Sequence, residues 1–454
     1  MAMGRRARER QGTMWVTTES LARGPGHPFY ARLNQVLAEA GFDTYAEGLC
    51  ARFYAADVGR PGVAPGVYFR MLLLGYFEGI DSERGIAWRC ADSLGLREFL
   101  GYALDLPTPD HSTLSVTRNR IDVETHQAVF DWVVRVLKER GMVKGKTVGI
   151  DATTLEANAA MRSIVRRDTG EKYREFLRRL AKESGVETPT AEDLVKLDRG
   201  REKKGSNQEW SSPSDPDAKI AKMKDGRTHL AHKAEHAVDL DTGATLAVTV
   251  QGADRGDTQT IGATLCEVME TLHDAGPGPD GPLEVREVVD DKGYHSDATL
   301  ADLAEMNIRT YTAEPRRKRR KWKGRSRERK AVYANRRRIR GARGKALLRE
   351  RGELLERPFA HHYRTGAMRR THLRGHQKIL KRLLVHSAGF NLALLMRALT
   401  GIGTPRGLQG LGKTLARALG ALLRSLGRVA HLLRSLRAPR IIRHTPFSPF
   451  RLAA

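Results

Sequence analysis

Three acidic residues stand far apart in the chain, each in a setting that can fix a carboxylate. Asp151 follows the β-branched run Thr147 to Ile150, Asp291 follows EVREVVD, and Glu356 lies within ALLRERGELLERPFAHHY. Hard divalent cations take oxygen ligands, and Mg2+ is commonly held by a few carboxylates together with substrate phosphates. Two such ions roughly 3.5 to 4 Å apart suit phosphoryl transfer, one activating the attacking oxygen and one stabilising the leaving oxygen. Carboxylates at the ends of two parallel strands emerge at the same edge of a sheet, and that is where Asp151 and Asp291 fall when each is read as a strand end. A lone Asp at a strand end is usually only a turn or a cap, so the weight rests on order and context. Asp290 adjoins Asp291, and strand alternation sends the two to opposite faces, so only one joins the site. Glu350, Glu353 and Glu356 recur at i, i+3 along one helix, so the first two can serve the site or simply offset nearby arginines.

These residues need a scaffold, and the sequence predicts one that is mixed. From 28 to about 137, apolar residues recur at helical spacing in FYARLNQVLAEAGF, VYFRMLLLGYFEGI and AVFDWVVRVLKERG, with Gly and Pro between segments. This gives a helical N-terminal domain over 28–140, in which Asp110, Ser112 or Thr113 caps a basic helix able to lie against phosphates. After Gly145 the pattern turns to strands. HKAEHAVDL and ATLAVTVQG flank Asp241, Thr242 and Gly243 as a hairpin, with Gly243 supplying the positive φ. A helix over TQTIGATLCEVMETLHDAG, the strand ending at Asp291, a helix capped by Ser296 and the strand RTYTAEP follow. The order predicts an α+β, mixed α/β sheet with helical crossovers between parallel strands. Residues 163–226 lack a clean period and read as a polar insertion.

The formal net charge is +26, from 79 Lys and Arg against 53 Asp and Glu, which points to a polyanionic partner, most simply nucleic acid. Residues 315–351 hold 19 Lys or Arg in 37 positions, opposed only by Glu328 and Glu350. Such a cluster repels itself unless solvated or neutralised, and Trp322 and Tyr333 among the cations suit nucleic-acid contact. Arg316, Arg317, Lys318, Arg319, Arg320 and Lys321 are therefore candidate phosphate contacts. So are Arg369, Arg370, Arg374, Lys378, Lys381 and Arg382, in a run without acids, and Lys233 at the start of the hairpin.

The strings GIDATTLEANA, KDGRTHLAHKAEHAVDLDTG, VVDDKGYHS and ERPFAHHYRTGAMRRTHLRGHQKILKRLLVHSAGFNLALLMR resemble bacterial insertion-sequence transposases with a DDE catalytic domain, in order from about 28 to 410. The resemblance implies an RNase H-like catalytic core over 145–400, cutting of double-stranded DNA at terminal inverted repeats, strand transfer to target DNA, and two Mg2+ ions, with Mn2+ able to substitute. It carries the catalytic, metal-holding Asp, Asp and Glu onto Asp151, Asp291 (before Lys292, Gly293 and Tyr294) and Glu356 (before Arg357, Pro358 and Phe359). Many relatives have a Lys seven residues after the Glu, where this chain has Tyr363, so that cationic role passes to Arg364, Arg369, Arg370 or Lys378. A DNA-binding relative of the same fold without catalysis is the alternative.

Other signals exclude classes. No uncharged apolar run of 18 residues occurs, so no membrane span is expected, and Cys50, Cys90 and Cys266 match no zinc or redox spacing. The expectation is a cytoplasmic protein acting at the nucleoid. Residues 1–27 form a basic start without a secretory apolar run and are expected to be disordered, and Met14 is a possible true start. GLQGLGKT, from Gly407 to Thr414, satisfies the Walker A pattern but lacks a preceding strand and a following nucleotide domain, so no nucleotide cofactor is expected. In the tail, 401–454, Leu415, Leu419, Leu422, Leu426, Val429, Leu433 and Leu436 alternate spacings of four and three. That seam, on a basic amphipathic helix, offers self-association on DNA.

Overall fold

The computed structural model describes residues 27–55, 62–201, 205–223, 225–278, 281–316, 320–366 and 368–408. One compact unit ends at Gly403 and another begins at Thr404. The leucine seam, the Walker-like loop beyond Leu408, and residues 1–26 lie outside the described residues.

Seven helices open the fold: α1 (Pro28–Glu39), α2 (Phe42–Cys50), α3 (Pro65–Glu78), α4 (Glu83–Asp92), α5 (Leu94–Leu100), α6 (His111–Arg120) and α7 (Val123–Glu139). Pro starts α1 and α3, where its missing N–H costs nothing. Asp110 and Asp122 cap α6 and α7 by accepting from the amides of Thr113 and Thr125. Nearly every residue of α3 is buried, because α2, α4, α5 and a long C-terminal helix surround it. The basic helix read from the sequence is α6, but Arg118 on it is turned inward to an ion pair with Glu83.

The region after α7 begins with β1 (Thr147–Glu156). It continues through β2 (Val165–Arg166), α8 (Tyr173–Glu183), α9 (Ala191–Gly200), β3 (Trp210–Ser211) and β4 (Lys219–Lys222) to β5 (Thr228–Asp239) and β6 (Thr245–Gly252). Then come α10 (Asp257–Asp274), β7 (Glu287–Asp290), α11 (Asp297–Glu305), β8 (Arg309–Thr312), α12 (Ser326–Arg340), α13 (Ala342–Phe359) and α14 (His376–Thr400). The sheet order is β4-β5-β1-β7-β8, with β6 also on β5. β5 runs antiparallel to β1, β4 and β6, whereas β1, β7 and β8 are mutually parallel. Gly243 makes the β5–β6 turn at φ 80. Helix α13 closes one face through Leu347 against Leu240, Val289 and Tyr311, and α10 lies against β5 and β6.

Three expectations need correction. β1 does not end at Asp151 but runs five residues further, because β5 is long enough to pair it as far as Glu156↔Ala231. Residues 163–226 are more than a polar insertion. Phe176, Leu177, Leu194 and Trp210 form a satellite core there, and β4 joins the main sheet. The basic segment is largely helical, as α12 and the start of α13, and chain carboxylates neutralise part of it: Arg320 meets Asp297, Arg327 meets Asp302 and Glu305, Arg336 meets Glu314, and Arg343 meets Glu287. The stretch His376–Leu408 is long and apolar enough to cross a membrane, but it is mostly buried, with α14 packed on α3, α7 and β6.

Candidate active site

Register decides what faces what. Gly149 on β1 pairs with Val289 on β7, so two residues further along these parallel strands Asp151 comes beside Asp291. Asp291 is the first residue past β7, where its Oδ1 accepts from the Gly293 amide at 2.7 Å. Asp151 is half-buried in mid-strand and accepts from the Ala152 amide at 2.8 Å. Burial raises the Asp151 pKa above its ordinary value. Arg351 opposes that shift through an ion pair at 3.3 Å, while the charges of Asp291 and Asp257 add to it.

Asp257, the first residue of α10, is thus a third acid at this edge. A side chain on Gly293 would strike its Oδ2 and come within 2.9 Å of Asp291 Oδ1, so the chain crowds these two carboxylates around a residue without a Cβ. Behind it lies a buried polar network on the other face of the sheet. Lys233 donates to Asp257 at 2.6 Å and to Thr260 at 2.9 Å. Glu235 accepts from Thr260 at 2.8 Å, from Tyr294 at 2.7 Å and from Thr264. Asp290 is buried on that same face, since β1–β5 and β7–β8 alternation separates it from Asp291. Burial pushes its carboxyl up to about 7, with the Thr312 hydroxyl and Arg351 opposing.

Glu356 is not brought to the two aspartates. An α-helix turns through about 100° per residue, and the inward positions of α13 are Leu347, Leu355 and Pro358. Glu356 is exposed on the opposite side, and Arg351 is the α13 side chain that meets Asp151. Glu353 pairs with Arg357, also outward, and Glu350 is half-buried. Tyr363 is buried, with its hydroxyl 2.6 Å from Nε2 of His236, the residue directly across from Asp151. Among the described residues, no three His, Cys, Asp or Glu side chains stand grouped to hold a metal ion.

The candidate DNA contacts divide by exposure. Arg316, Lys321, Arg369, Arg370, Arg374 and Lys378 are exposed, although Arg370 also approaches Glu156 and Arg374 donates to the Asn158 carbonyl. Arg320 is held between Asp297 and Glu314, and Arg317, Lys318 and Arg319 lie outside the described residues. Three of the candidates point inward instead. Lys233 neutralises Asp257, Lys381 donates to the carbonyls of Arg118 and Ile121, and Arg382 donates to His386 and the Ile80 carbonyl. These cations tie elements together, because a buried charge must find partners inside.

Sequence reasoning missed Asp257, Glu235 and Arg351. Asp257 looks like an ordinary acid in the first turn of a helix, and Arg351 is one of 19 cations in its segment. The pair Lys233 and Glu235 did carry a signal: charges at i, i+2 within AHKAEHAV fall on one strand face and call for internal partners.

Residues 18–120 match a family described as a transposase domain (DUF772). No curated protein and no solved structure matches the chain significantly. The match supports a transposase family, and with it a nucleic-acid-processing enzyme whose partner is DNA.

Proposed function

We propose that the chain is a DDE transposase that cleaves the ends of an insertion sequence and joins the freed strands to target DNA. The observation that carries this reading is the placement of Asp151 on β1 and Asp291 just past the end of its parallel neighbour β7, in a chain whose first helices match a transposase domain. An RNase H-like core is supported by the mixed sheet, with Asp151 on its central strand and Asp291 at the end of the parallel neighbour. Mg2+, held by Asp151, Asp291 and Glu356, would supply the Lewis acid for phosphoryl transfer. The two aspartates fit a hard cation. As arranged, the trio does not, because Glu356 faces away and Arg351 stands at Asp151.

The chain's own groups serve DNA in other ways. Exposed Arg369, Arg370, Arg374 and Lys378 offer a cationic track beside β1, where Arg370 bridges to Glu156, and guanidinium forks suit phosphate oxygens. The Lys233, Glu235 and Tyr294 network fixes the start of α10 and the turn after β7, and so orients Asp257 and Asp291. The reading is tested by incubating the full chain with DNA carrying the inverted repeats that flank its gene. Nicks exposing 3′ hydroxyls at the repeat ends are expected with Mg2+ and none after chelation. Specific end binding with no nick under either condition would instead favour a DNA-binding relative without catalysis.

A further inference from the structure

Arg382 carries a charge that the fold leaves without a counterion. It stands on α14, is 5% exposed, and enters no ion pair among the described residues. Its Nε donates to His386 at 2.8 Å and its Nη2 to the Ile80 carbonyl at 2.9 Å, while Nη1 has no hydrogen-bond partner among those residues. Burial, followed by the charge of Arg118, pulls its pKa down to about 10. A buried cation ordinarily sits against an anion.

The place for that anion is a cavity of about 230 Å³ between the first helices and the loop leading into α14. Arg382 forms part of its wall, together with Arg118 on α6, Arg370 on the loop, and Ser82, the cap of α4. Arg118 is 9% exposed, and its Nε is buried without a partner. Ser82 accepts from the Gly85 amide at 3.1 Å, so the amides of Glu83 and Arg84 are left without intrahelical acceptors. Such a turn attracts anions. Two carboxylates also border the cavity, but each is engaged: Glu83 pairs with Arg118, and Asp81 stands 3.1 Å from Nε2 of His372. Arg382 remains uncompensated, and the exposed Arg370 reaches only Glu156, at 3.7 Å.

We propose, on the reading that the chain is a transposase, that this cavity is a phosphate pocket filled by one phosphodiester of a bound DNA strand. Guanidinium forks match phosphate oxygens, and the position suits a strand that runs on to the aspartates. Arg370 bridges to Glu156, which lies about 17 Å along β1 from Asp151. At about 3.4 Å of axial rise per nucleotide, that span is on the order of five nucleotides. A phosphate fixed in the pocket therefore sets which bond of the strand reaches Asp151 and Asp291.

Two probes test the pocket on the full chain: inorganic phosphate in calorimetric titration, and end DNA whose backbone phosphates are replaced one at a time by neutral methylphosphonates. Ser82→Asp keeps a good helix cap and brings a negative charge into the cavity. Wild type is expected to bind inorganic phosphate, and Ser82→Asp to bind it roughly tenfold more weakly. On DNA, one neutral linkage should weaken wild-type binding by a similar factor and cost Ser82→Asp nothing further, since that contact is already lost. No phosphate binding by wild type, or binding that Ser82→Asp leaves unchanged, would show a mere packing gap and overturn the pocket. Losses that add at every linkage would mean that free phosphate, and not DNA, fills it. Wild type that binds inorganic phosphate but no end DNA would sink the transposase reading and the DNA assignment together. Coupled losses on DNA without cleavage would uphold the pocket and overturn only the catalytic reading.

Discussion

Lys233 shows how much a residue's meaning depends on where its strand points it. Read in the sequence beside His232, it is a plausible phosphate contact; in the fold its ammonium is enclosed by Asp257, Thr260 and Glu235. The two placements predict different failures. Replacing Lys233 with Met leaves the buried Glu235 and the half-buried Asp257 without their cation, which costs about 3 kcal/mol when a buried pair is broken from one side. Urea denaturation is expected to show that loss in the absence of DNA. A variant as stable as wild type that has lost only DNA affinity would return Lys233 to the phosphate-contact role.

At the scale of elements, the periodicities carried most of the information. The helical spacing before 140, the hairpin around Gly243, and the alternation of α10, β7, α11 and β8 are present in the chain as patterns of apolar residues and turns. What the patterns did not carry was the interior of residues 163–226, because its core is assembled from short elements that bring scattered aromatics together. Trp210 packs edge-on to Tyr173 and Phe176, which come from α8, far away in sequence. Trp210→Ala should cost roughly 3 to 5 kcal/mol locally, with limited proteolysis cutting within 163–226 while the rest of the chain resists. Uniform resistance would mean that this core is not what holds the segment. The rotation of α13 was equally hidden. Glu356 was legible as a candidate from resemblance, but which face a helix turns to a sheet is set by Leu347, Leu355 and Pro358 together, and not by the acid itself.

Over the whole molecule, charge and burial set the solution behaviour. With a formal charge of +26, DNA binding should weaken steeply as salt rises, since each neutralised phosphate releases a counterion. Replacing exposed Arg316 and Lys321 together should lower the log–log salt slope by up to about 2. Replacing Arg320, already paired with Asp297 and Glu314, should change it less. Equal effects would show that the internal pairs open on DNA.

Acid should act through the buried histidines. Burial lowers His126 to about 4 from an ordinary 6.5, and His236, His362 and His386 are also depressed, chiefly by burial. A depressed folded pKa means stability that is present above pH 6.5 and is lost as pH falls toward 4. The slope is about 1.4 kcal/mol per pH unit for each group titrating only in the unfolded chain. His126→Gln should flatten the curve between pH 6.5 and 4, and an unchanged slope would exclude His126 as a contributor.

Asp151 on β1 and Asp291 just past β7 are proposed to direct DNA cleavage together. The most direct test is strand cleavage of end DNA by Asp151→Asn and Asp291→Asn, measured beside end binding in the same Mg2+ buffer. Both variants are expected to bind ends nearly as wild type does and to fail to cleave. Cleavage by Asp151→Asn at the wild-type rate would contradict it.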